Sequence, residues 1–476
     1  MSAQPYGLEF QLGVRSGDWH QGLGLRFELP DQAIARQARF SVTTTLGTRR
    51  RFCGRTIFVL GNETEYNFSI LHQAPPMHLV ALANHLEEDV RDELLTYASL
   101  QDASGAMDFN VGIFGPIRYA SFYQESMFIR TLYQYVVWTG DVGFLEARVD
   151  PAAEHPLVWH DDAHPFGGTV YDHAARAAGY VMSHMFEDLV PAIDWWDGYP
   201  VESMEWRYDP RFTGQTGWRE LPTLFHGPNA VAEGSMVFCE ALEQLSMLAV
   251  ATGRRADADR FAAQAARMRP LIRERFFNPS SGVFALMIDS DGRRQADTRD
   301  DFLAYPQVRA LATRTVIDRG LLDVVRAYRM TPVGVQEARR LGPLASEWMR
   351  DIWPEKTHLY ALEEFRAGRP DLAVDAVRRQ LPASVHRLNP LAPTSRYPER
   401  YDPRDFRPKG WIQGGDPELI HCLLIGLAGL RPGLDGITSE PSVPPDWEEC
   451  AVTFFLQGHW RRWAYRGGAS ILTVLR

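Results

Sequence analysis

Apolar and polar positions along the chain change period twice. Over the first 70 residues, LEFQL, LRFEL, ARFSVTTT and TIFVL alternate and are rich in β-branched and aromatic residues, with turn formers between them. This predicts an N-terminal β segment, residues 1–70. From His72 the period becomes helical and stays so to about Leu430. The remainder, with AVTFFL, RRWAYR and SILTVL between Gly and Pro turns, predicts a C-terminal β segment over 431–476. Strands, then many helices, then strands describe a mainly α protein with β segments at its two ends.

The helical stretch carries an internal echo. Gly140, Gly253 and Gly368 each follow an amphipathic segment and precede another that starts after a charged residue, the pattern of an αα-hairpin closed by a C-cap glycine. Their spacings of 113 and 115 residues predict two hairpins per interval, and so about six hairpins over residues 71–430. Six hairpins closed in a ring make an (α/α)6 barrel; an open solenoid is the competing arrangement. Leu419 to Leu430 is apolar nearly throughout, as an inner helix would be, and Pro417 suits its first turn with Asp416 as cap.

Composition narrows the function. The chain of 476 residues is 45% hydrophobic and 23% charged with a net charge of −10, an ordered globular balance that disfavours binding to nucleic acid. The four cysteines, Cys53, Cys239, Cys422 and Cys450, form no CxxC pair, so neither a zinc cluster nor a disulfide framework is expected. NHLEEDV at 84–90 and HDDAH at 160–164 have residues that could hold a cation, but HDDAH lies in a Pro-rich loop without further ligands, and neither a metal nor a cofactor is expected. No glycine-rich nucleotide loop, Walker sequence or GxSxG occurs. The N-terminus has no basic segment followed by an apolar run, so the expectation is a cytoplasmic protein; no run reaches membrane-spanning length.

Two loops gather acids and aromatics. In DWWDGYPVESMEWRYDPRFTGQTGW, from Asp194 to Trp218, four tryptophans including Trp195, Trp196 and Trp206 accompany Asp197, Glu202, Glu205 and Asp209. In SRYPERYDPRDFRPKGWIQGGDP, from Ser395 to Pro417, Glu399 and Asp416 accompany Tyr401, Trp411 and Gln413. Aromatic faces bind the C–H faces of sugar rings, and carboxylates bind hydroxyls and perform acid and base catalysis. Cleaving a glycosidic bond needs one protonated and one ionised carboxyl group in different surroundings. Trp353, His226 and Tyr123 are further candidates for contact with a sugar.

ESMEWRYDPRF resembles the E-S-G-acid-x-x-P-R motif of family 63 glycoside hydrolases and their trehalase relatives, and PERYDPRDF resembles the family's E-x-Y-x-P segment. That family includes processing α-glucosidases and mannosylglycerate and glucosylglycerate hydrolases. WTGDVGFL, SGVFALMIDSDG and IWPEKTHLYAL are similar to its helix ends and substrate loops, while GLDGITSEPSVPPDW is similar to the β segment that follows many (α/α)6 glycosidases and disaccharide phosphorylases. The resemblance covers residues 75 to 460. It implies an inverting exo-glycosidase acting on a small α-glycoside, with Glu399 as general base and an acid from the first loop. The family's Gly after E-S is absent; one alignment puts Glu205 at its Asp and another, anchored on PRF, puts Arg207 there. Glu205 is favoured because it keeps a carboxyl group two residues beyond Ser203, with Asp209 and Glu202 in reserve. Inversion implies carboxyl groups about 6.5–9.5 Å apart. The alternatives are a phosphorylase on the same barrel, an isomerase or epimerase, and a sugar-binding protein that has lost its acid. The expected partner is a carbohydrate.

Overall fold

The computed structural model describes residues 24–60, 68–71, 74–108, 110–112, 115–117, 122–152, 166–191, 230–288, 292–316, 318–340, 350–384, 397–412 and 417–475. Among these are twelve α-helices and a set of short strands.

Helix α1, Gln32–Leu46, is capped by Asp31, whose carboxylate accepts from the Ala33 and Ile34 amides at 2.9 and 3.1 Å. ARFSVTTT, expected as a strand, lies inside it. Ile34, Ala35, Ala38, Ser41, Val42 and Thr45 are buried along one helical face. The β-branched run therefore yields to the cap and to a stripe of helical period. The other strands expected near the N-terminus stand at Arg26–Glu28 (β1) and Arg55–Phe58, while LEFQL lies outside the described residues.

The helices that follow are α2 (Ala74–Leu82), α3 (Glu87–Leu100), α4 (Tyr123–Thr139), α5 (Val170–His184), α6 (Ala232–Ala251) and α7 (Arg255–Phe276). After them come α8 (Ala304–Ala312), α9 (Gly320–Arg329), α10 (Pro354–Arg366), α11 (Pro370–Ser384) and α12 (Pro417–His421), which continues as a wider π-type turn over Cys422–Leu427. They alternate in role. The even-numbered helices pack each on the next, α2 on α4, α4 on α6, α6 on α8, α8 on α10, α10 on α12, and α12 returns to α2. The odd-numbered helices pack against members of this succession: α1 against α2 and α12, α3 against α2 and α4, α5 chiefly against α4, α7 against α6, α9 chiefly against α8 and α11 chiefly against α10, while α11 also touches α1. Helix α1 thus belongs to the helical body and not to a separate β segment.

Gly140, Gly253 and Gly368 all adopt left-handed backbone, with φ of 75°, 75° and 72°, just past the ends of α4, α6 and α10. The second interval holds two hairpins, α7 to α10; the first holds α5 and α6 among the described residues, with 153–165 and 192–229 lying outside them. Pro417–Leu427 is buried almost throughout, as an inner helix requires. By length and composition α6 could cross a membrane, but its packing between α4, α7 and α8 is that of a core helix.

Strands β2 (Glu449–Leu456), β3 (His459–Arg466) and β4 (Ala469–Val474) make an antiparallel sheet in the order β1-β2-β3-β4. The two ends of the chain, expected as separate β segments, therefore share one sheet: Phe27 pairs with Val452, and Arg462 binds Glu28 at 2.6 and 2.7 Å. The sheet docks on the C-terminal ends of α2 and α4. Trp138 Nε1 donates to the Phe455 carbonyl at 2.8 Å, and the Phe455 amide donates to Ala83 O at 2.9 Å. The N-terminal ends of the even-numbered helices are thus left clear of this sheet.

Candidate functional site

Four even-numbered helices bring charged or hydroxyl-bearing residues together at their N-terminal ends. Tyr123 opens α4, Glu233 lies in the first turn of α6, Tyr305 in that of α8, and Glu355 and Lys356 in that of α10, which Pro354 starts. A carboxylate in a first turn is favoured by the unpaired amides and the helix dipole there.

The side chains form a continuous chain of contacts. The Tyr123 hydroxyl donates to Glu233 Oε1 at 2.8 Å, and Arg309 Nε lies 3.6 Å from the same oxygen. Arg309 also donates to the Tyr123 hydroxyl at 3.5 Å and to the Tyr305 hydroxyl. Tyr305 in turn donates to Glu355 Oε1 at 3.3 Å. Glu337 completes the group: its Oε2 is 3.3 Å from Lys356 Nζ, and its Oε1 accepts from the Tyr305 amide at 3.2 Å. Lys356 Nζ sits 4.3 Å above the ring of Trp353, which is itself buried.

Burial sets the electrostatics. Glu233 is fully buried, and that pushes its carboxyl group up to about 7 despite the opposing pull of Arg309, the Tyr123 hydroxyl and Lys356. Burial also raises Glu355, against Lys356 and Arg309. Glu233, Arg309, Tyr305, Glu337 and Lys356 are all buried, whereas Glu355 keeps partial contact with solvent. Glu355 is therefore the most exposed carboxylate of this group.

A hairpin of Tyr397–Tyr401 (β5) and Pro408–Ile412 (β6) lies against the start of α10. The Tyr401 amide donates to Ile352 O at 2.9 Å, and the Ile352 amide to Tyr401 O at 3.0 Å. The backbone of Glu399 is thus two residues from a direct bond to the segment that enters α10, and Trp411 pairs in register with Pro398. Asp351, one residue before that bond, binds the hairpin through Arg400 and Lys409.

The structure brings together Tyr123, Trp353 and the backbone strands bearing Glu399 and Trp411. Tyr123 is buried and hydrogen-bonded to Glu233. Trp195, Trp196, Glu202, Glu205, Trp206, Asp209, His226 and Gln413, together with Asp416 and HDDAH at 160–164, lie outside the described residues. Among the described residues, no group of three or more His, Cys, Asp or Glu side chains could hold a metal ion. The sequence reading missed Glu233, Tyr305, Arg309, Glu337, Glu355 and Lys356. Their signal was there: Glu233 is a lone acid opening an apolar helix, and YPQ and WPEK put polar groups beside a helix-starting proline.

No family model matches the chain. Over 115 residues, 23% of this chain and 14% of the relative, it is 29% identical to the solabiose phosphorylase of Paenibacillus borealis. The GH78 family rhamnosidase of Bacillus sp. GL1 superposes with a TM-score of 0.59 at 16% identity, over 95% of this chain and 41% of that one. A sialidase superposes with a TM-score of 0.59 at 12% identity, over 99% and 42%. The chain thus spans less than half the length of these two structures. The likeness shows a fold of glycoside-hydrolase type without singling out family 63.

Proposed function

We propose that this chain is an inverting glycoside hydrolase that acts on the end of a small α-glycoside or oligosaccharide, on an (α/α)6 barrel. The alternation of helices supports the barrel: among the described residues, six pack in succession with the last against the first, and six more pack against these. The observation that carries the functional reading is Glu355, a partly open carboxylate among buried Tyr305, Arg309, Lys356 and Trp353, beside the strand that bears Glu399. Three acids facing two bases leave the group near neutrality when Glu233 holds its proton, which suits a neutral sugar.

In this reading Glu399 is the general base and draws a proton from the attacking water. Glu205 is the general acid that protonates the departing oxygen, with Asp209 and Glu202 as its neighbours in the same loop. Glu355 accepts sugar hydroxyls, and Trp353 and Trp411 lie along the ring. Trp195, Trp196, Trp206, His226 and Gln413 complete the contacts, and Tyr123 acts through Glu233. The resemblance to family 63 motifs supports the roles of Glu399 and of the acid in the Glu205 loop.

A second reading, phosphorolysis, is favoured by the similarity to solabiose phosphorylase and by the cations Arg309 and Lys356. Both cations are engaged by carboxylates, Glu233 and Glu337, which weighs against a phosphate there. Aryl α-glycosides assayed with and without inorganic phosphate separate the two. Release of free sugar in phosphate-free buffer is expected of the hydrolase, and sugar phosphate formed in phosphate buffer alone would establish the phosphorylase.

A further inference from the structure

We propose that Asp351 is a positioning residue for Glu399: a single buried carboxylate that fastens both strands of the β5–β6 hairpin to the start of α10. The inference rests on the reading of Glu399 as general base.

Arg400 and Lys409 are partners in the hairpin register, so two cations stand opposite each other on adjacent strands. Like charges directly opposite destabilise a strand pair. Asp351 lies against both, with Oδ1 3.1 Å from Lys409 Nζ and Oδ2 3.4 Å from Arg400 Nη1. The need is mutual. Asp351 is 2% exposed, and a carboxylate so buried is costly unless cations face it. Beside the backbone pair of Ile352 and Tyr401, the hairpin and the helix start therefore stabilise each other through the Asp351 carboxylate.

The anchor extends on both sides. Lys409 Nζ is also 2.9 Å from Asp402 Oδ2, and Asp402 closes the hairpin turn by accepting from the Arg404 amide at 2.9 Å. On the other side, the Asp351 carbonyl accepts from the Glu337 amide at 3.1 Å, and Glu337 contacts Lys356 of α10. Arg400, held by Asp351, lies 5.8 Å over Trp353. Glu399 is adjacent in the chain to the clamped residue, so any shift of this rung displaces its backbone directly. Misplacing a reacting group by about 1 Å costs on the order of a hundredfold in rate.

The test follows amide hydrogen exchange of residues 397–412 alongside hydrolysis of an aryl α-glycoside. In Asp351→Asn, exchange in the hairpin is expected to rise at least tenfold, and kcat to fall about a hundredfold with KM little changed. Asp351→Glu restores part of both. Adding Lys409→Met to Asp351→Asn removes the cation left opposite Arg400 and lowers the exchange again. Should Asp351→Asn not fold, Lys409→Met alone reads the same link, with faster hairpin exchange expected. Unchanged exchange in these variants overturns the clamp. Loosening of the hairpin, together with full activity in Glu399→Gln, overturns the base assignment while the clamp stands.

Discussion

The Tyr123 hydroxyl donates to Glu233 Oε1 at 2.8 Å, joining the first turns of α4 and α6. Both residues are buried, so the bond fixes two neighbouring inner helices at the end where the charged group assembles. Removing the hydroxyl leaves a buried acceptor with less satisfaction, which costs about 1–3 kcal/mol. Tyr123→Phe is expected to lower stability by that amount in urea denaturation, without changing the slope of the transition.

Glu233 gives the stability a defined dependence on pH. Its folded pKa, about 7, lies above its ordinary 4.5, so the folded state holds this proton more tightly than the unfolded chain. The sign follows directly: its contribution is full below pH 4.5 and is lost as pH rises through 7. The loss amounts to about 3 kcal/mol. In Glu233→Gln this part of the fall should vanish, as denaturation measured between pH 4.5 and 7.5 would report.

At the end of the last inner helix, Gly429 has φ of 61°, and a β-carbon there would collide with the Glu440 carbonyl. The collision is with backbone, which cannot swing aside. Gly429→Ala is expected to cost about 3 kcal/mol or more and to lower the melting temperature accordingly.

Glu355 is the most exposed carboxylate of the charged group, so on the proposed hydrolase reading its loss weakens handling of the sugar before it weakens the fold. Glu355→Gln is expected to reduce kcat/KM at least tenfold while thermal unfolding stays within a few degrees of the wild type, a charge-assisted hydrogen bond to a substrate hydroxyl contributing about 1.5–3 kcal/mol. Steady-state kinetics and a thermal scan on the same preparation check both halves.

Much of the helical body was legible because it rests on local chemistry. Gly140, Gly253 and Gly368 are read correctly as helix stops, since left-handed backbone strongly favours glycine. The Pro417–Leu427 helix is equally plain from its apolar run. What failed depended on the rest of the molecule. ARFSVTTT has strand-like residues, yet the Asp31 cap and a buried helical stripe make it part of α1. The joining of β1 to the C-terminal sheet pairs residues more than 400 apart, a contact that no local pattern encodes. The site divides in the same way. Trp353 stood out as a tryptophan in a polar stretch with a proline beside it, whereas Glu233, Arg309 and Glu355 became a group only when three helices converged.

Anomer-resolved proton NMR of an aryl α-glycoside digest, run in phosphate-free buffer with the wild type and with Glu399→Gln, tests the account most directly. It predicts free sugar that first appears as the β-anomer in the wild type and a loss of about a thousandfold in Glu399→Gln. Retention of the α-anomer, a strict need for phosphate, or undiminished turnover in Glu399→Gln would contradict it.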